Sequence, residues 1–93
     1  MKPSLGRIVH YRGKKGLCAM RAAIVTADVG SLDPRGVETG LIPALASDQH
    51  VHLWVFTPGE LGGFTEYNVP LDEPGDDGLI TPGYWCWPPR CDR

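Results

Sequence analysis

No stretch of this sequence approaches the ~18 consecutive apolar residues that a membrane-spanning helix requires, so a helical span is excluded. The opening residues, MKPSLGRIVHYR, lack the apolar h-region of a signal peptide. Cysteine is scarce, and Cys18, Cys86 and Cys91 are an odd number that cannot all pair within one chain. An odd count without a secretion signal points to free thiols, and the chain is expected in the cytoplasm. No Walker-type or dinucleotide-type glycine loop is present, which removes the usual phosphate cradles. Internal repeats and coiled-coil heptads are also lacking.

Excess charge is missing too. A net charge of −2 gives little pull toward nucleic acid. The charge is uneven along the chain, however. Lys2, Arg7, Arg12, Lys14, Lys15 and Arg21 precede Asp28 with no acid among them, while Asp72 to Asp77 holds four acids and no base. Ninety-three residues make one domain, because two cores would leave each half near the lower limit of independent folding.

What the chain does have is strand signal. HVHLWVF, His50 to Phe56, runs without Gly or Pro and is rich in β-branched and aromatic residues. Alternation puts Val51, Leu53 and Val55 on one aliphatic face and His50, His52, Trp54 and Phe56 on the other. Further strands are expected near residues 6–12, 20–27, 64–69 and 84–87, divided by turns and loops rich in Gly and Pro. Ile8, Ile24 and Trp85 are expected against the aliphatic face of the central strand. Residues 28–49 hold three Gly and two Pro without a clear period, and a short helical turn is expected at Pro43 to Ser47. The segment from Leu71 to Gly83 reads as a solvated acidic loop. Five short strands with a short last one predict an all-β fold, a small five-stranded SH3-like barrel with a long loop after strand 2, occupying residues 1–93 as one domain.

Candidate chemistry is thin. His50 and His52 stand at i, i+2 on one strand face, a spacing that suits metal ligation, but zinc needs three or four convergent ligands and Cys86-x4-Cys91 is stiffened by Pro88-Pro89. No metal and no cofactor are expected. Cys18 or Cys86 with a histidine lacks a local nucleophile signature, as does any carboxylate pair in the acidic loop. The chain therefore reads as no enzyme. YWCWPPR, Tyr84 to Arg90, is either a sticky aromatic platform or, the preferred reading, a pair of tryptophans plugging the core. The basic turn Gly13 to Gly16 reads as a hairpin tip. The long loop and the aromatics flanking it are the expected partner-binding surface, carried by Trp54, Tyr67, His50, His52, Arg35 and Leu41. A free sheet edge also permits pairing with a second copy.

With GRIVHYR at the front, AAIVT in the second strand, HVHLWVF-TP in the middle, NVP after the fourth and WCWPPR at the end, the chain resembles a family of small proteins of actinobacterial phages and prophages. The similarity runs from Gly6 to Arg90. Members usually carry a Trp-x-Trp-Pro ending after a variable loop. Here that loop is acidic, and Cys86 stands between the tryptophans where a polar residue is more usual. The shared motifs are structural landmarks without a catalytic signature. The resemblance implies a phage-encoded protein acting in the bacterial cytoplasm, most simply a module that binds a host protein during infection and is toxic to the host when expressed alone. The alternatives are a virion part, such as a capsid decoration or head–tail component, and then a binder of single-stranded nucleic acid.

Overall fold

The computed structural model describes residues 2–14, 19–57 and 62–88. The elements are β1 (Ile8–Arg12), β2 (Met20–Ala27), α1 (Pro34–Glu38), β3 (Val51–Phe56), β4 (Gly63–Val69) and β5 (Trp85–Cys86). Each strand lies within two residues of its expected span. The β-branched run Ile24-Val25-Thr26 outweighs the helix-favouring alanines of β2, because its side chains pack well on a pleated surface. All five strands join one antiparallel sheet in the order β4-β3-β2-β1-β5.

The expected barrel does not form. The sheet is open, with β4 and β5 as its two edges. A barrel needs a continuous ladder between the edge strands. Here β4 ends at Val69, Pro70 offers no N–H, and β5 is only two residues long. What bridges the seam is a single parallel contact between Leu71 and Trp85. The Trp85 amide donates to Pro70 O at 2.9 Å and the Asp72 amide to Trp85 O at 2.9 Å. Among the described residues β4 has no strand paired on its outer side.

The core lies on one face of the curled sheet. Val9, Tyr11, Ala23, Val25, Val51, Leu53, Val55, Val69 and Trp85 are buried there, with Phe64, Leu71 and Trp87 partly covered against them. Val51, Leu53, Val55 and Trp85 are core residues, as expected. Ile8 is not: it is 61% exposed. Pairing of Val9 with Ala23 puts the odd residues of β1 on the core face and turns Ile8 outward opposite Ile24. Ile24 is only partly buried for the same reason. Trp85 takes the plugging role, with Trp87 edge-on against it at 5.2 Å.

His52 breaks the alternation of β3, since Val51, His52 and Leu53 are buried in succession. Two irregularities flank it. β2 inserts Thr26 between the Val25–Leu53 and Ala27–His52 pairs. β4 sets both Tyr67 and Asn68 between the partners of Val51 and Leu53, with Asn68 in the left-handed region at φ 52°. The bulged Asn68 amide donates to His52 Nδ1 at 2.9 Å. An amide can only donate, so Nδ1 accepts and Nε2 carries the proton that it gives to Pro43 O, 2.7 Å away. The Asn68 side chain then accepts from the Ala46 amide at 2.9 Å.

These bonds hold the long loop. Its one turn of helix is α1 at 34–38, not the turn expected at 43–47. Asp33 caps it, accepting from the Arg35 amide at 3.1 Å, and Pro34 supplies a φ already suited to the first helical position. Gly36 packs so closely on Ile42 that a Cβ there would collide with it. The backbone at Pro43 is instead committed to His52. Farther along, Ser47 Oγ meets His50 Nδ1 at 2.7 Å, and Trp85 Nε1 donates to Gln49 O at 2.9 Å. Lys2 pairs with Asp48 at 3.3 Å.

His52→Phe keeps a ring in the site but strands the Asn68 amide and Pro43 carbonyl. It is expected to cost about 2–6 kcal/mol in urea denaturation, at roughly 1–3 per unsatisfied group. Amide exchange at Asn68 and Ala46 is expected to accelerate with it. An unchanged stability would mean that the loop is held by other contacts.

Candidate functional site

Strand register places Ile8, Ile24, Trp54 and Thr65 in one row across the outer face of the sheet. Phe56 lies two residues along β3, opposite Gly63 of β4. Because β4 offers only Thr65 and Gly63 to this part of the face, the large side chains of β3 stand proud of it. Trp54 is 38% exposed, Phe56 43% and Ile8 61%. The Trp54 indole lies across the Gly63 backbone, where a Cβ would come within 2.7 Å of Nε1. Glycine at 63 is what lets the indole settle against the sheet.

The expected binding residues divide into four groups. Trp54 and Tyr67 share the outer face, and Tyr67 is exposed. His52 is buried beneath Tyr67, with the two rings edge-to-face at 5.2 Å. It holds the fold and presents no free surface. His50 sits just before β3, tied to Ser47. Arg35 in α1 and Leu41 after it are exposed, and no side-chain hydrogen bond or ring contact joins them to Trp54 or Tyr67. The residues missed on this face are Ile8 and Ile24, placed in the core by reading. The parity of β1, with Val9 and Tyr11 opposed to Ile8 and His10, was the available signal.

The other candidate groups are committed elsewhere. His52 uses both ring nitrogens, and among the described residues no three His, Cys, Asp or Glu side chains converge for a metal ion. Register sets His10 opposite Cys86, but no hydrogen bond joins them. Burial pushes the Cys86 thiol up, and Asp72 adds to the rise. A thiol so placed is a poor nucleophile. It borders a small cavity of about 240 Å³ with Leu71, Asp72, Glu73, Pro74 and Trp87. Cys18 and Cys91 lie outside the described residues, as do Lys15 and Gly16 of the basic turn and Pro89 and Arg90 of the C-terminal string.

Hydrogen bonds tie the acidic loop at several points. Asp72 accepts from the amides of Thr81 and Glu73 at 2.9 Å each, and Asp77 from that of Leu79 at 3.0 Å. The Thr81 bonds hold the Asp72 carboxyl below its ordinary value. Arg12 Nη1 donates to Ile80 O at 2.8 Å, which joins this loop to β1.

A polar cluster closes one end of the core face. Tyr11 OH donates to Glu66 Oε2 at 2.8 Å, and Lys14 Nζ lies 3.4 Å from Glu66 Oε1. Burial, then the bond to Glu66 and its charge, push the Tyr11 phenol well above its ordinary 10.0. Compared with models of protein families, with curated proteins and with solved structures, the chain finds no match.

Because Tyr11 holds its proton more tightly folded than unfolded, its contribution is complete below pH 10.0 and is lost as pH rises above that value. Tyr11→Phe is expected to cost about 1–2 kcal/mol near pH 8. The gap to the parent should narrow above pH 10.0, where the unfolded parent ionises and the variant does not. Denaturation curves across that range check the sign.

Proposed function

We propose that this chain is a non-catalytic protein-binding module that docks through the outer face of its sheet. In the phage setting that the resemblance implies, the partner is a protein of the host bacterium. The observation that carries the reading is the row Ile8–Ile24–Trp54 with Phe56 beside it, in which Ile8, Trp54 and Phe56 are large apolar side chains left exposed on the sheet. Strand-borne aromatics lose little freedom on binding and supply much area, which is why they anchor interfaces. Tyr67 extends the face toward the loop, while Arg35 and Leu41 offer rim contacts from the loop itself. Nucleic acid is a weaker reading, since Lys14 of the basic turn is already paired with Glu66.

The test is capture of a host protein by folded variants. Truncating a central aromatic anchor costs roughly 2 kcal/mol or more, so Trp54→Ala is expected to weaken binding about thirtyfold. Ile8→Asp, on the same row, is expected to do at least as much. Asp76→Ala in the acidic loop is expected to change affinity by less than about 1 kcal/mol. Retention of the partner by both outer-face variants, with loss in Asp76→Ala, would put the site on the acidic loop instead. Recovery of the chain from purified virions would assign it to the particle.

A further inference from the structure

β4 forms one edge of the sheet, and among the described residues no strand pairs with its outer side. The bonding parity of that edge is set by its pairing with β3. The Thr57 amide donates to Gly62 O at 3.1 Å, and the register runs on through Phe56–Gly63, Val55–Phe64, Trp54–Thr65 and Leu53–Glu66. Antiparallel partners alternate between pairs that exchange backbone bonds and pairs that do not. Phe64 and Glu66 therefore bond to β3, while Gly63, Thr65 and Tyr67 turn their N–H and C=O groups outward. Thr65 and Tyr67 are exposed along this row.

Proteins usually guard a free edge with proline, lysine, a bulge or an inward-pointing charge. The bulge at Tyr67 and Asn68, followed by Pro70, ends the edge on one side. Between Gly63 and Tyr67 there is neither proline nor lysine. Glu66 points toward the core face, but its carboxylate is taken up by Tyr11 and Lys14. A short unguarded stretch is left.

We propose that Gly63 to Tyr67 pairs with the same stretch of a second copy, antiparallel about a two-fold axis through Thr65, to form one continuous sheet. Thr65 stands opposite the partner's Thr65, Gly63 opposite the partner's Tyr67 and Phe64 opposite the partner's Glu66. The outward-turned residues of each copy then supply the bonds of the new ladder. The side chains fit this register. Tyr67 is the largest side chain that β4 shows on its outer face, and it meets Gly63, which has none, beside exposed Trp54 and Phe56. Threonine facing threonine at the axis is a favourable cross-strand pair. Sliding the strands by two residues toward Val69 sets Glu66 against the partner's Glu66, and like charges directly opposite repel. Sliding them two the other way carries Tyr67 past the partner's Gly63, the first residue of β4. A slip of one residue sets core-facing side chains against outer-facing ones. The occupant is a second copy because the matching features lie on one strand, and a two-fold axis uses each match twice. The pairing does not rest on docking through the outer face; it brings two rows of Ile8, Ile24 and Trp54 into line across the axis.

The test is sedimentation of the full chain, with amide hydrogen exchange followed by NMR. One short strand makes a small interface of the weak, transient class, so a dissociation constant on the order of 100 µM is expected. Raising the concentration from about 10 µM to about 1 mM, either side of that value, is expected to convert monomer to dimer. Exchange should slow at Gly63, Thr65 and Tyr67, and change little at Phe64 and Glu66, whose amides are bonded within each copy. Thr65→Lys places two positive charges together at the axis and is expected to weaken the dimer roughly tenfold or more. Cα atoms of a bonded antiparallel pair lie ~5.5 Å apart, within reach of a disulfide. In a chain whose Cys18 and Cys91 are replaced by serine, Thr65→Cys is therefore expected to crosslink two copies on oxidation, and Tyr67→Cys is not. Melting curves show which variants are folded, and the crosslink decides the matter if Thr65→Lys is not. A chain that stays monomeric at about 1 mM leaves the edge to some other protein and overturns the proposal. So does a dimer that leaves exchange at Thr65 unchanged, a folded Thr65→Lys that pairs as well as the parent, or crosslinking through Tyr67→Cys in place of Thr65→Cys.

Discussion

His52 joins three parts of the molecule through two backbone bonds. Its Nδ1 takes the amide of the β4 bulge and its Nε2 gives a proton to the carbonyl of Pro43 in the long loop. The ring can do this because β2 and β4 each carry an extra residue beside it, so the local twist opens room on the outer face. Once the loop is tied there, its tail is set as well. Ala46 meets Asn68, and Gln49 meets the indole of Trp85 from the other side of the sheet. A segment of more than twenty residues with a single turn of helix is costly to order. Here the cost is offset at a few points, half-buried bonds from Pro43 to His52 and Gln49 to Trp85 and an exposed one from Ala46 to Asn68.

That attachment divides the outer face into two regions. Near His52 it is covered by the loop and by Tyr67, and the imidazole is buried. Toward the other end Ile8, Trp54 and Phe56 remain exposed beside the small residues Gly63 and Thr65. The bare region is therefore a product of where the loop is pinned. The core face shows the complementary pattern. Trp85 fills it near the loop, while Tyr11, Glu66 and Lys14 form a polar cluster at its open end and Arg21 borders the cleft left there.

The open seam follows from chain chemistry near Pro70 and the brevity of β5. Trp85 still draws the segment after β4 toward β5 through two hydrogen bonds, so the sheet curls almost around its core without a continuous ladder. The acidic loop leaves from this seam. Asp72 holds its far end by accepting from Thr81, and Arg12 holds the carbonyl of Ile80. Both sides of the seam are thereby fixed by side-chain-to-backbone bonds where strand pairing stops.

Periodicity and turn chemistry were enough to read the five strands, the core face of β3 and the buried tryptophan from the sequence. Those features depend on neighbours along the chain and on the two-residue alternation of side chains, which every strand carries in its own letters. The helical turn capped by Asp33 was not read; one was expected nine residues later, at Pro43. Three matters were decided only in three dimensions. Whether Ile8 or Val9 enters the core depends on the register of β1 against β2, since both are apolar and adjacent. Whether the sheet closes depends on a ladder between strands that are distant in sequence. And whether His52 is a surface ligand or a buried fastener depends on which distant backbone groups reach it. A histidine reads the same in either role until Pro43 and Asn68 are found at its two nitrogens.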